Sequence, residues 1–298
     1  MENKIQKKNV VFADIGLLFV AIFWGGGFVA GKFALTDMGP VTLMAYRYGL
    51  ATVAMLPFCF KQLKLIDKKM LVSGGIIGTI MFIGNSLQTI GLQYTTAGKQ
   101  TFIISLYTVF VPVITWIFLK ARPGKNIIFA AVLALIGISM LTLTDDLTIG
   151  FGDWLTLIFA IGFSTQIVLI SLFMKDMDPM AFTFVQIAVA GAWSILAGIF
   201  FGSHESIFEM GNDGMLGLMY LVFFNTTFAF ILQNRCQKIA PPNHVAILIS
   251  LEVVFGTIFA VTIGGEIFTQ RMIIGCIIMF IAIGVSKLPT KKDKGNSI

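Results

Sequence analysis

The sequence predicts an all-α integral membrane protein: ten transmembrane helices in two inverted five-helix repeats, with both termini in the cytoplasm. Three observations lead there. The 298-residue chain is 57% hydrophobic and 12% charged, with a mean hydropathy of +0.90. That leaves too little polar surface for a soluble protein of this size. Charges and turn residues cut the apolar sequence into ten stretches, most of them near the ~17–25 residues a spanning helix needs. Finally, motifs recur along the chain at nearly constant offsets. The alternating segments of ~10 residues expected of a membrane barrel are not seen, which excludes that architecture.

The ten stretches are 11–33, 41–60, 71–92, 97–119, 127–143, 154–174, 181–201, 215–232, 245–264 and 272–285. The first follows a basic N-terminus but runs on into further spans, unlike a cleaved signal peptide. It carries Asp14, then Phe23-Trp24-Gly25-Gly26-Gly27-Phe28 and Lys32, and it ends in the turn Asp37-Met38-Gly39-Pro40. The second half opens with Asp153 and repeats the turn as Asp176-Met177-Asp178-Pro179, both at an offset of 139. Further on, Ile103-Ile104-Ser105-Leu106 recurs as Leu248-Ile249-Ser250-Leu251 at an offset of 145. This second match pairs Lys99 with His244, Tyr107 with Glu252 and Phe110 with Phe255. Two five-span repeats, 10–146 and 150–288, account for both offsets and leave a basic cytoplasmic tail at 289–298. An odd number of spans per repeat turns the halves over in the membrane. That is the inverted-repeat architecture of secondary transporters, whose solute site lies near the midplane between the halves.

With the N-terminus inside, 17 of the 21 Lys and Arg fall on the cytoplasmic side. Lys32, Arg47, Lys99 and Arg271 remain for the outer half, and the acidic loops (Asp145 and Asp146; Glu205, Glu209 and Asp213) lie outside. Positive charge near span ends marks the cytoplasmic side. The net charge of +6 therefore serves topology and attraction to anionic lipid, and it is no nucleic-acid footprint. Cys59, Cys236 and Cys276 follow no ligand or disulfide spacing and read as small buried hydrophobes. No metal or cofactor is expected.

Polar residues inside the spans are the candidates for function. Asn85, Gln88, Thr89 and Gln93 share one face of the third span, and Gln100, Tyr107, Thr108 and Thr115 form a similar stripe on the fourth. On the eighth, Asn225 and Gln233 stand two turns apart. Amides are costly against lipid, so these faces should point inward, either lining a solute cavity or joining helices. Trp24 is a further lining candidate. Glu252 interrupts the ninth span, where a charge costs roughly 2.5–3.5 kcal/mol on insertion scales. It reads as a proton carrier or counter-charge, or as a packing carboxyl bonded to another helix. Arg47 and Lys32 could receive an acidic group of the solute, or snorkel to headgroups. Lys99 and His244 stand at equivalent span entrances on opposite sides, as gate residues or interfacial anchors. Pro112 offers a kink in the fourth span. Gly27 with Gly31, Gly74 with Gly78 and Gly198 with Gly202 offer close helix packing.

Enzymatic readings find little support. There is no HExxH, no phosphate loop, and no Ser, His and Asp on adjacent segments. A membrane-embedded enzyme acting on a lipid or isoprenoid would need a clustered catalytic set at one interface, and none is found.

Several of these motifs together resemble the EamA family of the drug/metabolite transporter superfamily. They are the Trp24-Gly25-Gly26-Gly27-Phe28 run, Pro40 through Arg47-Tyr48, and Leu92-Gln93-Tyr94-Thr95-Thr96-Ala97-Gly98-Lys99 through Phe110-Val111-Pro112. Gln233-Asn234 through Gln237-Lys238, Ser250-Leu251-Glu252 and Gly265-Glu266 complete the set. The likeness covers both halves, from Asp14 to Ser286. One departure is Val253, where the family commonly has Pro after the ninth-span Glu. The resemblance implies a ten-helix carrier of the bacterial inner membrane, often an exporter of amino acids, related metabolites or drugs. It also implies a cavity lined by spans one, three, four, six, eight and nine, with the hairpins three–four and eight–nine as gates. The partners expected are a small-molecule solute, the bilayer and, where transport is coupled, protons; a homodimer is admissible. An uncoupled facilitator or an importer of the same fold is the alternative.

Overall fold

The computed structural model describes residues 2–95, 97–120, 122–142, 149–203, 205–263, 265, 267, 269–286 and 288, without the side chains of 2–9 and 97–99. The Lys99 side chain, the Asp145-Asp146 loop, Glu266 and the tail 289–298 therefore lie outside the described residues.

Among the described residues all regular structure is helical. The helices are α1 (Glu2–Asp37), α2 (Pro40–Cys59), α3 (Lys68–Gly91), α4 (Ala97–Ser105), α5 (Tyr107–Leu119), α6 (Lys125–Thr142) and α7 (Phe151–Phe173). They continue with α8 (Pro179–Phe201), α9 (Asn212–Tyr220), α10 (Ala229–Gln237), α11 (Pro242–Ile249), α12 (Glu252–Thr262) and α13 (Gln270–Ser286), and a π-helical segment, Leu221–Phe228, joins α9 to α10. Eight helical runs are long and apolar enough to cross a membrane: Val10–Asp37, Lys68–Tyr94, Gln100–Leu119, Lys125–Thr142, Phe151–Phe173, Pro179–Phe201, Asn212–Gln237 and Pro242–Thr262. Helix α13 is apolar but shorter, and α2 carries the polar run Tyr46-Arg47-Tyr48.

Local chemistry sets the boundaries. Pro40 stands in the first turn of α2, where its missing N–H costs nothing, and extended Gly39 precedes it. Asp67 accepts from Met70 N at 2.7 Å to cap α3. Asp178 does the same for α8, accepting from Met180 N and Ala181 N at 3.0 Å each. Large apolar side chains such as Phe12, Val53, Val72, Ile117, Phe129, Trp154, Phe200 and Phe280 lie exposed on the outside. An apolar surface on that scale is suited to lipid rather than water.

Helix α2 packs on α8, α6 on α13, and α3 on α7 and α8, while α1 touches α9, α10 and α12. Gly74 and Gly78 bring α3 close to α8, since a Cβ at either would press Val185 or Val189. Gly27 makes the close approach expected of it, since a Cβ there would run into the Asn225 amide, whereas a Cβ at Gly31 would meet nothing within 4 Å. Both glycines border an internal cavity.

Two spans are discontinuous. The fourth breaks at Leu106, between α4 and α5, and Pro112 lies within α5, so the kink expected at Pro112 stands well before it. Leu106 N reaches back only to Ile103 O (3.2 Å), a tight turn in place of an α-helical bond. The related stretch breaks at the corresponding Leu251, whose N–H reaches Leu248 O at 3.2 Å. No proline follows there, so the turn itself, and not a missing N–H, makes both breaks.

Candidate functional site

The helices enclose a cavity of about 510 Å³. Helix α1 contributes Trp24, Gly27, Gly31 and Lys32, and α2 contributes Arg47. Asn85, Gln88 and Thr89 come from α3, Gln100 from α4, and Phe159, Phe163 and Gln166 from α7. The π segment and α10 add Asn225 and Phe230, and α12 adds Glu252. Where α1 and α3 end, the cavity meets a second hollow of about 520 Å³ that also touches Asp37, Pro40, Gln93 and Glu205. Both hollows include Leu35, Thr36, Thr89 and Leu92, so the cavity reaches the molecular surface at that end.

The π segment shapes one wall. Within it Thr227 Oγ1 donates to Val222 O at 2.8 Å, and the neighbours Asn225 and Thr226 both meet Arg47. Arg47 Nη2 donates to Asn225 Oδ1 (2.7 Å) and Nε to Thr226 Oγ1 (2.8 Å). Asn225 is itself held, its Nδ2 donating to Phe23 O (3.0 Å) and its carbonyl accepting from Trp24 Nε1 (3.1 Å). The guanidinium carbon lies 5.1 Å from the Tyr48 ring centroid.

An aromatic cluster also lines the cavity. Phe163 packs edge-on to Trp24 at 5.6 Å and to Tyr107 at 5.1 Å, and it stacks on Phe159 at 5.7 Å, while Phe230 flanks Trp24 at 5.7 Å. Glu252 is 6% exposed, and its Oε1 accepts from the Tyr107 hydroxyl at 3.3 Å. Gln100 Nε2 donates to Gln88 O (2.7 Å) and Thr156 Oγ1 (3.3 Å), tying α4 to α3 and α7.

Of the residues singled out in the sequence, Trp24, Arg47, Asn85, Gln88, Gln100, Asn225 and Glu252 thus meet around one cavity, and Lys32 joins them. Tyr107 lies behind Glu252, fully buried. Gln93 belongs to the outer hollow. Thr108 and Thr115 are buried in helix packing. Gln233, Pro112 and His244 do not line the cavity. His244 Nε2 lies 2.7 Å from Asp14 Oδ1 and joins the start of α11 to α1 at the end remote from the outer hollow. Gln233 and Gln186 are fully buried and Gln237 nearly so, and no side-chain amide atom of the three has a hydrogen-bond partner among the described residues.

Sequence reasoning passes over Phe159, Phe163, Gln166 and Phe230. A signal for one of them is present: Phe163 follows Trp24 at the same offset that relates Asp153 to Asp14.

These features define a multi-pass helical membrane protein with a polar, aromatic-walled internal cavity. The family model of the EamA-like transporter family matches residues 11–143 and again 150–287, and the chain belongs to that family. It is 34% identical to an uncharacterized transporter of Archaeoglobus fulgidus, over 93% of this chain and 86% of the relative. Against the uncharacterized transporter YyaM of Bacillus subtilis the identity is 24%, over 95% of this chain and 97% of the relative. A solved crystal structure superposes with a TM-score of 0.80 at 15% identity, covering 94% of this chain and 98% of that one, so it shares the fold.

Proposed function

We propose that this protein is a secondary transporter of the cytoplasmic membrane, moving a small polar metabolite outward by alternating access. The observation that carries the reading is the cavity. Polar groups from several helices converge inside an apolar-coated bundle, open at one end and tied at the other by His244 and Asp14. Interhelical glue alone would not need a hollow of about 510 Å³, a volume typical of small-molecule sites.

Adding α2 and α13 to the eight long apolar runs, two of which are broken, gives ten crossings among the described residues. With the Lys and Arg distribution, both termini lie inside and the open cavity faces out. The repeats 10–146 and 150–288 are inverted in this reading, and the packing supports it. If each span is exchanged for the one five places on, the contact of α2 with α8 maps onto itself, as does that of α6 with α13. The contact of α1 with α9 and α10 maps onto that of α7 with α3. That of α1 with α11 and α12 maps onto that of α7 with α4 and α5. Glu252 is the group suited to carry a coupling proton, since it is the carboxyl in the cavity wall.

The test loads proteoliposomes with a mixed pool of amino acids and aromatic metabolites, with and without a pH gradient, and follows release by mass spectrometry. Gradient-dependent loss of one solute class is the expected result. Loss without gradient dependence would make the protein a facilitator. Folded protein that releases nothing from pools of successively broader chemistry would overturn the transporter reading.

A further inference from the structure

Two cations and one carboxyl share the cavity, and the two cations are not matched to it. Arg47 spends two of its five N–H donors on Thr226 Oγ1 and Asn225 Oδ1, both neutral oxygens. A guanidinium does not give up its proton under biological conditions, and a charge at membrane depth calls for a partner. Glu252 lines the same cavity but receives the Tyr107 hydroxyl and lies beyond ion-pair distance of Arg47. Lys32 is exposed, lines the cavity toward its mouth, and makes no hydrogen bond or ion pair among the described residues.

Arg47 is also fixed rather than free to reach the headgroups. Asn225 holds its fork and is held in turn by Phe23 O, and the Tyr48 ring lies under the guanidinium carbon. A planar fork held in place, with donors to spare, matches a carboxylate in shape as well as charge. Trp24, Phe159, Phe163 and Phe230 line the same cavity and offer ring faces and edges to an apolar body.

Within the transporter reading, we propose that the cargo is a small organic anion: a carboxylate held by the Arg47 guanidinium, with an aromatic or apolar body against the Trp24–Phe163–Phe230 wall. Lys32 raises the anion's local concentration at the mouth. No amine on the solute is required.

Three nearly isosteric probes separate the charge types: phenylacetate, phenylacetamide and phenethylamine, each added to the purified full-length protein in nanodiscs. Binding is read by tryptophan fluorescence and by thermal stabilisation. Phenylacetate is expected to bind saturably, at least about tenfold more tightly than the amide, and the amine not to compete. Arg47→Gln should bind acid and amide alike, whereas Arg47→Lys should keep the preference at lower affinity. Lys32→Gln should weaken the acid alone and blunt its salt dependence. Amide or amine binding as tightly as the acid would overturn the proposal. So would no binding by any probe, or a preference for acid that survives in Arg47→Gln. Should Arg47→Gln fail to fold, the native protein and Lys32→Gln still decide. The vesicle flux measurement is separate: flux through a site indifferent to charge would remove only the anion assignment. Selective anion binding without flux would remove the transporter reading and leave the site.

Discussion

The Tyr107 hydroxyl lies 3.3 Å from Glu252 Oε1, across 145 residues of sequence. That separation is the offset relating the two Ile-Ser-Leu motifs, so the two residues hold corresponding places in the related stretches. Trp24 and Phe163, which share the offset of Asp14 and Asp153, do the same and meet with ring centroids at 5.6 Å. A residue can touch its own counterpart only near an axis relating the two halves. Glu252, Trp24 and Phe163 all line the cavity, and among the described residues Glu252 is the one carboxyl in that lining.

Glu252→Gln keeps the shape and the Tyr107 contact while removing the ionisable group. Folding should be unchanged and any pH-gradient dependence of flux lost. Tyr107→Phe removes only the hydroxyl bond and should cost roughly 1 kcal/mol of stability, with coupling retained. Thermal unfolding and vesicle flux on both variants check this. A Glu252→Gln protein still driven by the gradient would return the residue to packing.

His244 and Asp14 join α11 to α1 at the end of the bundle remote from the second hollow, and a reporter stands nearby. Cys236 is fully buried, lying against Gly16 on α1, just past Asp14 along the same helix. Removing the tie with His244→Ala should let α1 and α11 part more often and raise maleimide labelling of Cys236 several-fold. Labelling is read by mass spectrometry, with Cys59 as an internal control because it is equally buried and far in sequence from the tie. Equal labelling of Cys236 in native and variant protein would mean that the pair does not hold this end shut.

How much of this is legible in the sequence depends on what each residue costs in lipid. Arg47, Asn225 and Glu252 stand out in apolar runs because no lipid-facing role suits them, and all three line the cavity. Phe159, Phe163 and Phe230 do not stand out, since a phenyl ring is equally at home against lipid and against solute. Thr226 is hidden for another reason. Successive residues on a helix point about 100° apart, so the sequence gives no sign that Asn225 and Thr226 share a target, yet the two edges of the Arg47 guanidinium reach both. The breaks at Leu106 and Leu251 escape because proline is the expected cause, and a single turn with i→i−3 bonding leaves no such mark.

At the open end of the cavity, Glu205 ties the α8–α9 loop to the start of α2. Its Oε1 accepts from Gly39 N at 3.1 Å, its Oε2 accepts from the Ser203 hydroxyl, and Ser203 N donates to Thr42 Oγ1 at 3.0 Å. The Ser203 hydroxyl above all holds the carboxyl below the usual glutamate range, with the Gly39 N–H and Thr42 adding to it. A lowered value means the tie is fully present above that range and is lost as pH falls through the folded value. Hydrogen exchange at Gly39, corrected for intrinsic rate, should accelerate in that acid window. Glu205→Gln should exchange alike on both sides of it. An acid step that persists in Glu205→Gln would assign it elsewhere.

Gln186 holds the place in α8 that Arg47 holds in α2, at the same offset that relates Asp153 to Asp14. Yet it is fully buried with no amide partner among the described residues. Gln233, likewise fully buried and unpartnered, falls on Gln88 of the cavity lining at the offset of 145 that relates Tyr107 to Glu252. If the halves exchange roles, these amides would line an inner vestibule when the outer cavity shuts. An unpaired buried amide costs stability, and an apolar group of similar size removes that cost. Gln233→Leu should therefore leave the melting temperature equal or raised while flux falls at least about tenfold, roughly 1.4 kcal/mol on the limiting barrier. Packing glue would give the opposite pair of results: a lower melting temperature with normal flux per folded molecule. The variant thus separates a polar path from a polar joint without knowing the direction of transport.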